Sequence, residues 1–534
     1  MIKDDEQHDA IQEAVLAKCS VQDGGISGTA RLVDKEQDPC TIVIFGASGD
    51  LTQRKLVPAL YRLYSEGGLP DSFLVVGTSR TEMGNDGFRD KMKKAIPLYC
   101  DLDRAMWKDF ASRLYYHPVD YHEVSAFMSL RDFLEHIEEQ NHLMGNRIYN
   151  LAIPPSLYKT TIQNLGQSGL SDQKKRKHGW IRVVIEKPFG RDLETAIDLN
   201  NTLRKNFDEH QIFRIDHYLA RETVQSVLMF RFANSIFEPL WNRNYISNIS
   251  IIAAESLGVE HRAGYYEEAG VLRDMFQNHM MQLFAMTAME PPSLFEAERV
   301  RDEKVRLFRS LRPFTSVDQG EDVILGQYDG GIIEGTEVPA YRDEPGINPE
   351  SLTPTFATMK VFVDSWRWQG VPFYLTSGKR MARKLTEIII NFKEVPHSVF
   401  RTVLGEHIST NRLIMGIQPD ERITLTFQTK NPGARISLRS VTMDFNYLQN
   451  YKGPVLDAYE KVLLDVIGGD HMLFWRQDGI ELTWAFLTPI LEFCETCSDR
   501  SDRLFFYKSG TWGPEPAGDI MKSHDHKFQG KTDS

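Results

Sequence analysis

The stretch TIVIF at 41–45 is a run of β-branched and apolar residues without polar alternation, the pattern of a strand covered on both faces. Gly46-Ala47-Ser48-Gly49 follows it, and then Leu56, Leu60, Leu63 and Tyr64 recur at helical spacing. Pro58 falls inside that spacing, so the helix either starts late or is kinked there. FLVVG at 73–77, RIYNLAI at 147–153 and IRVVI at 181–185 repeat the strand pattern, with helical stretches between them. Strands alternating with helices predict a doubly wound α/β domain over residues 40–215. After residue 216, longer amphipathic helices give way to alternating stretches such as TMKVFVDSW, LTEIIINF, RLIMGI and RITLTFQT. Residues 216–516 therefore read as a larger α+β domain with a big, mainly antiparallel sheet.

Outside these two units the pattern fades. Residues 1–39 are acidic and Gly-containing, with a short helical spacing at 9–18 as the one exception, and they read as a disordered extension. Residues 517–534 read as a flexible tail. Composition agrees with two globular domains: the 534 residues exceed the about 100–200 of one ordinary domain, and 41% are hydrophobic against 25% charged. The formal net charge of −12 argues against a nucleic-acid partner. Clustered lysines can still build a pocket for an anion in an acidic protein. Lys174-Lys175-Arg176-Lys177 reads as a solvated loop.

No stretch approaches the about 20 apolar residues of a membrane span, and the acidic start MIKDDEQHDA lacks the marks of a secretory or transit signal. A cytoplasmic protein is expected. Cys19, Cys40, Cys100, Cys494 and Cys497 are too scattered for a disulfide framework. The Cys494/Cys497 pair lacks the second pair that a zinc site wants; a redox pair is the alternative, and because both follow an apolar helical run, ordinary thiols are expected.

Gly46-Ala47-Ser48-Gly49-Asp50-Leu51 lies between a strand and a helix. Glycine there permits a tight turn and a close approach of backbone N–H groups to a phosphate at the helix start. The spacing is G-x-x-G, not the full G-x-G-x-x-G, and by itself it suits a plain strand-to-helix turn equally well. The end of the next strand changes that balance. An NAD site usually carries an acidic residue there, whereas this chain reads Gly77-Thr78-Ser79-Arg80. Hydroxyls and a guanidinium suit a 2′-phosphate, so NADP is favoured, with NAD the weaker alternative because Glu82 lies close by.

His279 shares one helical stripe with Leu272, Met275, Phe276, Leu283 and Met286. A lone histidine on an apolar stripe is most simply a core residue, and a catalytic one needs a carboxylate to orient it. Asp274, five positions back, falls on another face of a regular helix. Asp216, within RIDHYL, is then the candidate partner. Lys187 follows the strand IRVVI and precedes Pro188, which restricts it to an extended conformation and aims it at the C-terminal edge of the sheet. The plainer alternative for it is a surface lysine.

GASGDLTQRK, NLAIPPSLY, VVIEKPFG, RIDHYL, GVLRDMFQNH, WRWQGVPFYLTSGKRMARK and SGTWGP occur in this order across residues 40–516, and together they resemble glucose-6-phosphate dehydrogenase. The resemblance implies a Rossmann-type cofactor domain and the oxidation of D-glucose 6-phosphate at C1 to 6-phospho-D-glucono-1,5-lactone, the first step of the pentose phosphate pathway. It implies NADP as the acceptor, no metal, and assembly as a homodimer or homotetramer. His279 would be the general base, oriented by Asp216. Lys187 would bridge cofactor and sugar. His217, Tyr218 and Arg221 would hold the 6-phosphate with Lys384, while Glu255, Asp274, Lys379 and Gln418 would bond the sugar's oxygens. Gly46, Ala47, Ser48, Gly49, Asp50, Leu51, Arg80 and Tyr158 would hold NADP together with Lys187.

Two departures stand out. The family reads DHYLGKE where this chain reads Asp216-His217-Tyr218-Leu219-Ala220-Arg221-Glu222. Arginine is longer and planar, and alanine lacks glycine's backbone freedom, so phosphate binding is where this chain departs most. Leu385 and Gly416 stand where animal members carry basic residues for an extra structural NADP, and that second site is expected to be absent. Two alternatives follow: a dehydrogenase of an unphosphorylated sugar, and a catalytically altered NADP-binding homologue.

Overall fold

A computed structural model describes residues 37–173, 179–216, 219, 222–315, 322–400, 408–433, 437–446, 455–496 and 503–522. The helical spacing at 9–18 and the basic run at 174–177 lie outside them. So do His217, Tyr218, Ala220, Arg221, Cys19 and Cys497.

Six parallel strands form the first sheet: β1 (Cys40–Phe45), β2 (Phe73–Thr78), β3 (Leu114–Tyr116), β4 (Arg147–Leu151), β5 (Ile181–Ile185) and β6 (Ile212–Arg214). Their order is β3-β2-β1-β4-β5-β6, the doubly wound arrangement whose ligand crevice opens where the strand order reverses, beyond the C-terminal ends of β1 and β4. Every residue of β1 and β2 is buried, which explains the missing alternation, since helices cover both faces of a parallel sheet. Pro58 has the predicted effect. Helical winding starts at Asp50, but the regular helix Val57–Ser65 begins only one residue before the proline, whose ring nitrogen has no proton to donate back along the turn.

The second sheet has nine strands: β7 (Ile246–Ala254), β8 (Val323–Asp329), β11 (Phe356–Val361), β12 (Phe373–Gly378), β13 (Leu385–Phe392), β14 (Arg412–Gln418), β15 (Arg422–Lys430), β16 (Leu438–Asn446) and β17 (Leu504–Lys508). A small hairpin, β9 (Gly331–Ile333) with β10 (Thr336–Val338), stands apart. The order is β16-β15-β14-β13-β7-β12-β11-β8-β17. Pairing is antiparallel except between β7 and β12 and between β8 and β17, so the sheet is mainly antiparallel, as the alternating stretches predicted. Between the two sheets runs a helical segment over 263–288 whose second half is buried on all sides. Past residue 516 the helix Glu515–Lys522 continues into the stretch expected to fray, with Ala517 buried and Ile520 against the core beside it.

The chain later returns to the first sheet. Helix Ala458–Gly468 starts from a capping box in which Asp457 and Glu460 exchange bonds. It buries Val462, Leu463, Val466 and Ile467 in the same cluster as Ile42, Leu60, Val184 and Phe213. Arg182, on β5, donates to the carbonyls of Val466 and Ile467 at 2.7 and 2.6 Å. Tyr459 bonds the side chain of Glu186, just past β5.

That carboxyl titrates in an unusual range. Burial pushes the Glu186 pKa up to about 7, against the opposing bond from Tyr459 and the Lys187 charge, with Asp216 adding to the rise. An acid raised in the folded state holds its proton more tightly folded than unfolded, so stability falls as pH climbs from the ordinary carboxyl range towards 7. Glu186→Gln should abolish this slope. The urea midpoint of the wild type should fall relative to that of the variant between about pH 5 and pH 7; parallel profiles would refute the burial of this group.

A second buried charge is paired with a carboxylate. Arg147 on β4 donates to both Glu138 oxygens at 2.8 and 2.7 Å, and both side chains are buried. Glu138→Ala would strand the guanidinium, and a loss of about 3–5 kcal/mol in urea unfolding is expected. A loss below about 1 kcal/mol would mean that the pair behaves as a surface bridge.

Candidate active site

Three chain segments bring the candidate chemistry together. The end of β5 delivers Glu186 and Lys187, the end of β6 delivers Asp216, and the buried helix delivers Asp274 and His279. Asp216 Oδ1 lies 2.6 Å from His279 Nδ1, and both residues are buried. Lys187 Nζ lies 2.8 Å from His279 Nε2 and 3.3 Å from Asp274 Oδ1, and it also donates to the Asp274 carbonyl at 3.2 Å. An ammonium has no lone pair to offer, so Nε2 accepts from Lys187 and the ring proton sits on Nδ1, facing Asp216.

The expected separation of Asp274 from His279 needs correction. Over Leu272–Met280 the helix winds in the wider form, with N–H groups bonded to carbonyls five residues back. Such winding is uncommon and recurs at functional sites. It carries positions five apart towards the same side, so Asp274 and His279 both reach Lys187. Asp216 bonds the imidazole Nδ1, while Asp274 holds the lysine. Burial would raise the Asp274 carboxyl, but Lys187, Lys379, Arg262 and His279 together hold it far below the usual range. Tyr265 donates to the same oxygen at 3.2 Å.

The second sheet supplies the opposite wall. β7 and β12 run parallel and end together, Ala254 beside Gly378, so the next residues, Glu255 and Lys379, meet in an ion pair at 2.5 Å. β13 runs antiparallel to β7 and starts level with Ala254, which puts Lys384 at the same edge, exposed. β14 ends there too, with Gln418 opposite Thr386 and donating to its hydroxyl at 2.7 Å. Four neighbouring strands thus place Lys379, Glu255, Lys384 and Gln418 on one edge. Leu385 is buried at the start of β13, and Gly416 sits inside β14.

The glycine turn fits a dinucleotide. Gly46 has a φ of +89°, and a Cβ there would fall 2.1 Å from the Ala152 carbonyl oxygen, so no other residue fits. A Cβ on Gly77 would press within 2.8 Å of the Ala47 methyl, and glycine lets the two loops touch. Thr78 O accepts from the amides of Gly46 and Ala47 at 2.9 and 3.0 Å, which straps the turn to the end of β2. Tyr121 OH also accepts from Gly46 N at 2.8 Å. Asp50 and Leu51 open the helix, with Asp50 exposed and paired to Arg54 at 3.0 Å. Arg80 follows β2 and is exposed. Tyr158 is buried, with its hydroxyl 3.0 Å from the Glu186 carbonyl oxygen. The cradle, the cation beyond β2 and the lysine at the end of β5 lie along the C-terminal edge where such sheets bind nucleotides.

Sequence reasoning missed Tyr121, Tyr265, Tyr459 and Lys91, whose ammonium bonds Ser48 O at 2.8 Å. Tyr121, Tyr459 and Lys91 have no local signature, because each acts across a long stretch of chain, and Tyr265 meets Asp274 nine residues on only through the winding of the helix between them. Among the described residues no group of three or more His, Cys, Asp or Glu could hold a metal ion, and no helix is long and apolar enough to cross a membrane. Cys40 is buried in β1, which pushes its thiol up to about 12.

Comparison with known proteins agrees with this architecture. Residues 43–226 match the family described as glucose-6-phosphate dehydrogenase, NAD binding domain, and residues 228–529 match the C-terminal domain of the same family. A glucose-6-phosphate 1-dehydrogenase of Aggregatibacter actinomycetemcomitans is 44% identical over 482 residues, 90% of this chain and 95% of its own. That of Bacillus subtilis is 41% identical over 91% of this chain and 97% of its own. A solved glucose-6-phosphate dehydrogenase in complex with its substrate glucose-6-phosphate superposes with a TM-score of 0.84 at 32% identity, over 93% of this chain and all of that one. The enzyme from Mycobacterium avium gives 0.78, also at 32% identity. The two matched domains, the shared fold and the identity across nine-tenths of the sequence place this chain in the glucose-6-phosphate dehydrogenase family, as an oxidoreductase.

Proposed function

We propose that the protein oxidises D-glucose 6-phosphate at C1 to 6-phospho-D-glucono-1,5-lactone with reduction of NADP, the first step of the pentose phosphate pathway. The observation that carries this reading is the run of bonds from Asp216 to His279 to Lys187, which leaves the lone pair of Nε2 facing a donor. The substrate's C1 hydroxyl takes the donor's place at Nε2, and His279 removes its proton. Asp216, fixed on Nδ1, keeps the imidazole in the accepting tautomer and stabilises the imidazolium that forms. Bound NADP supplies the hydride acceptor for C1.

Lys187, displaced from Nε2, remains anchored to Asp274 and offers a cation between the sugar and the glycine cradle. Glu255, Lys379 and Gln418 are assigned to the sugar's oxygens from the shared strand edge, and Asp274 from the buried helix. Lys384 at that edge is assigned to the 6-phosphate, with His217, Tyr218 and Arg221. Gly46 to Leu51, Arg80 and Tyr158 are assigned to NADP. The cation beyond β2 favours the 2′-phosphate over a bare ribose hydroxyl. A silent homologue would have no use for three segments converging on one imidazole.

Purified protein should reduce NADP with glucose 6-phosphate and not with glucose, followed by absorbance of the reduced cofactor. His279→Asn should lower kcat by about 10²–10⁴-fold with little change in the KM for glucose 6-phosphate. A fully active variant would overturn the assignment of the base.

A further inference from the structure

The glycine turn meets a cofactor phosphate with few amides to spare. Of its four backbone N–H groups, those of Gly46 and Ala47 are taken by Thr78 O, and that of Gly49 by Gly46 O at 2.9 Å. Among the described residues the Ser48 amide is the one left without a partner. Beyond the Ser48 amide and the amides at the helix start, negative charge beside this turn is met by side-chain cations. Arg80 is one: it is exposed and makes no ion pair or hydrogen bond among the described residues. Its charge is felt at Tyr121, whose pKa burial raises strongly and Arg80 lowers, and the Tyr121 oxygen bonds Gly46 N.

A second cation comes from the following helix. Asn85–Ala95 buries Phe88, Met92 and Ala95. Of its basic residues, Arg89 is used up on the Leu114 carbonyl at 3.1 Å and on Asp86 at 3.3 Å. Lys93 and Lys94 are exposed. Lys91 is half-buried, and its Nζ sits 2.8 Å from Ser48 O, inside the turn. One carbonyl satisfies one of three ammonium protons, and the other two have no partner among the described residues. A phosphate dianion is a much stronger acceptor than a carbonyl, and its bonds to an ammonium are charge-assisted.

We infer that Lys91 reads the adenosine 2′-phosphate together with Arg80, and is thereby a specificity residue for NADP over NAD. The inference rests on the NADP reading above. Arg80 reaches the turn from the strand end and Lys91 from the helix, so a 2′-phosphate between them gains two cations that a 2′-hydroxyl cannot use. Lys91 also locates the anion, because its hold on Ser48 fixes the ammonium at the turn.

Calorimetric titration of the whole chain with 2′,5′-ADP and with 5′-AMP tests this without turnover. The wild type should bind 2′,5′-ADP more tightly. Lys91→Met should weaken 2′,5′-ADP by about tenfold or more and leave 5′-AMP unchanged, with Lys91→Arg recovering part of the loss. Equal weakening of both nucleotides would make Lys91 a brace of the turn and overturn the inference, as would no weakening at all. The two readings fail separately. If the wild type does not prefer 2′,5′-ADP, the NADP reading falls and takes this one with it. If the preference is lost in Arg80→Gln but kept in Lys91→Met, only the role of Lys91 falls.

Discussion

Asp216, His279, Lys187 and Asp274 form one continuous line of bonds through the interior, and most of the architecture serves to bring their ends together. Each group would be costly to bury alone. In sequence, the carboxylate orients an imidazole, the imidazole accepts from an ammonium, and the ammonium is balanced by a second carboxylate. The strand ends β5 and β6 and the buried helix must therefore arrive at one point. Arg273 tightens that arrangement from behind: next to Asp274, it donates to the carbonyl of Arg191 at 2.9 Å and pairs with Glu495. The helix is fastened on both sides of the acid it presents.

The site lies where the C-terminal edge of the parallel sheet faces an edge of the mixed sheet. Each sheet contributes groups that strand pairing alone puts side by side: Lys187 and Asp216 from β5 and β6, Glu255 and Lys379 from β7 and β12. Because β13 and β14 run antiparallel to their neighbours, the start of one and the end of the other fall at that same edge. Charges of both signs are thereby concentrated over a short distance, and the depressed Asp274 carboxyl is one result.

Rigidity on the cofactor side comes from the returning segment. Helix Ala458–Gly468 covers the first sheet, Tyr459 holds Glu186 beside Lys187, and the backbone of Trp475 pairs with that of Arg214 two residues before Asp216. The part of the chain between β16 and β17 thus braces both strand ends of the first sheet.

Much of this was legible in the residues. Strands buried on two faces announce themselves by continuous apolar runs, which is why TIVIF, FLVVG and IRVVI were readable, and Pro58 marked where regular helix could begin. Gly46 reflects a local demand, a positive φ with no room for Cβ. Asp216 could be singled out as the partner of His279 because regular helical spacing turned Asp274 away. That same spacing hid the part Asp274 plays, since only the wider winding lets it share Lys187 with His279. The long-range contacts of Tyr121, Tyr459 and Lys91 left no trace in the pattern. The sequence by itself determined which segments are strands, where the turn must bend and which residue types could do acid–base work, because burial and backbone freedom are properties of each residue and its near neighbours. Only the tertiary structure decided how these groups are joined, with Asp216 on Nδ1 and Lys187 shared between His279 Nε2 and Asp274. The bonds to His279 join residues 63 and 92 positions apart, and sheet order, strand register and helix winding set them.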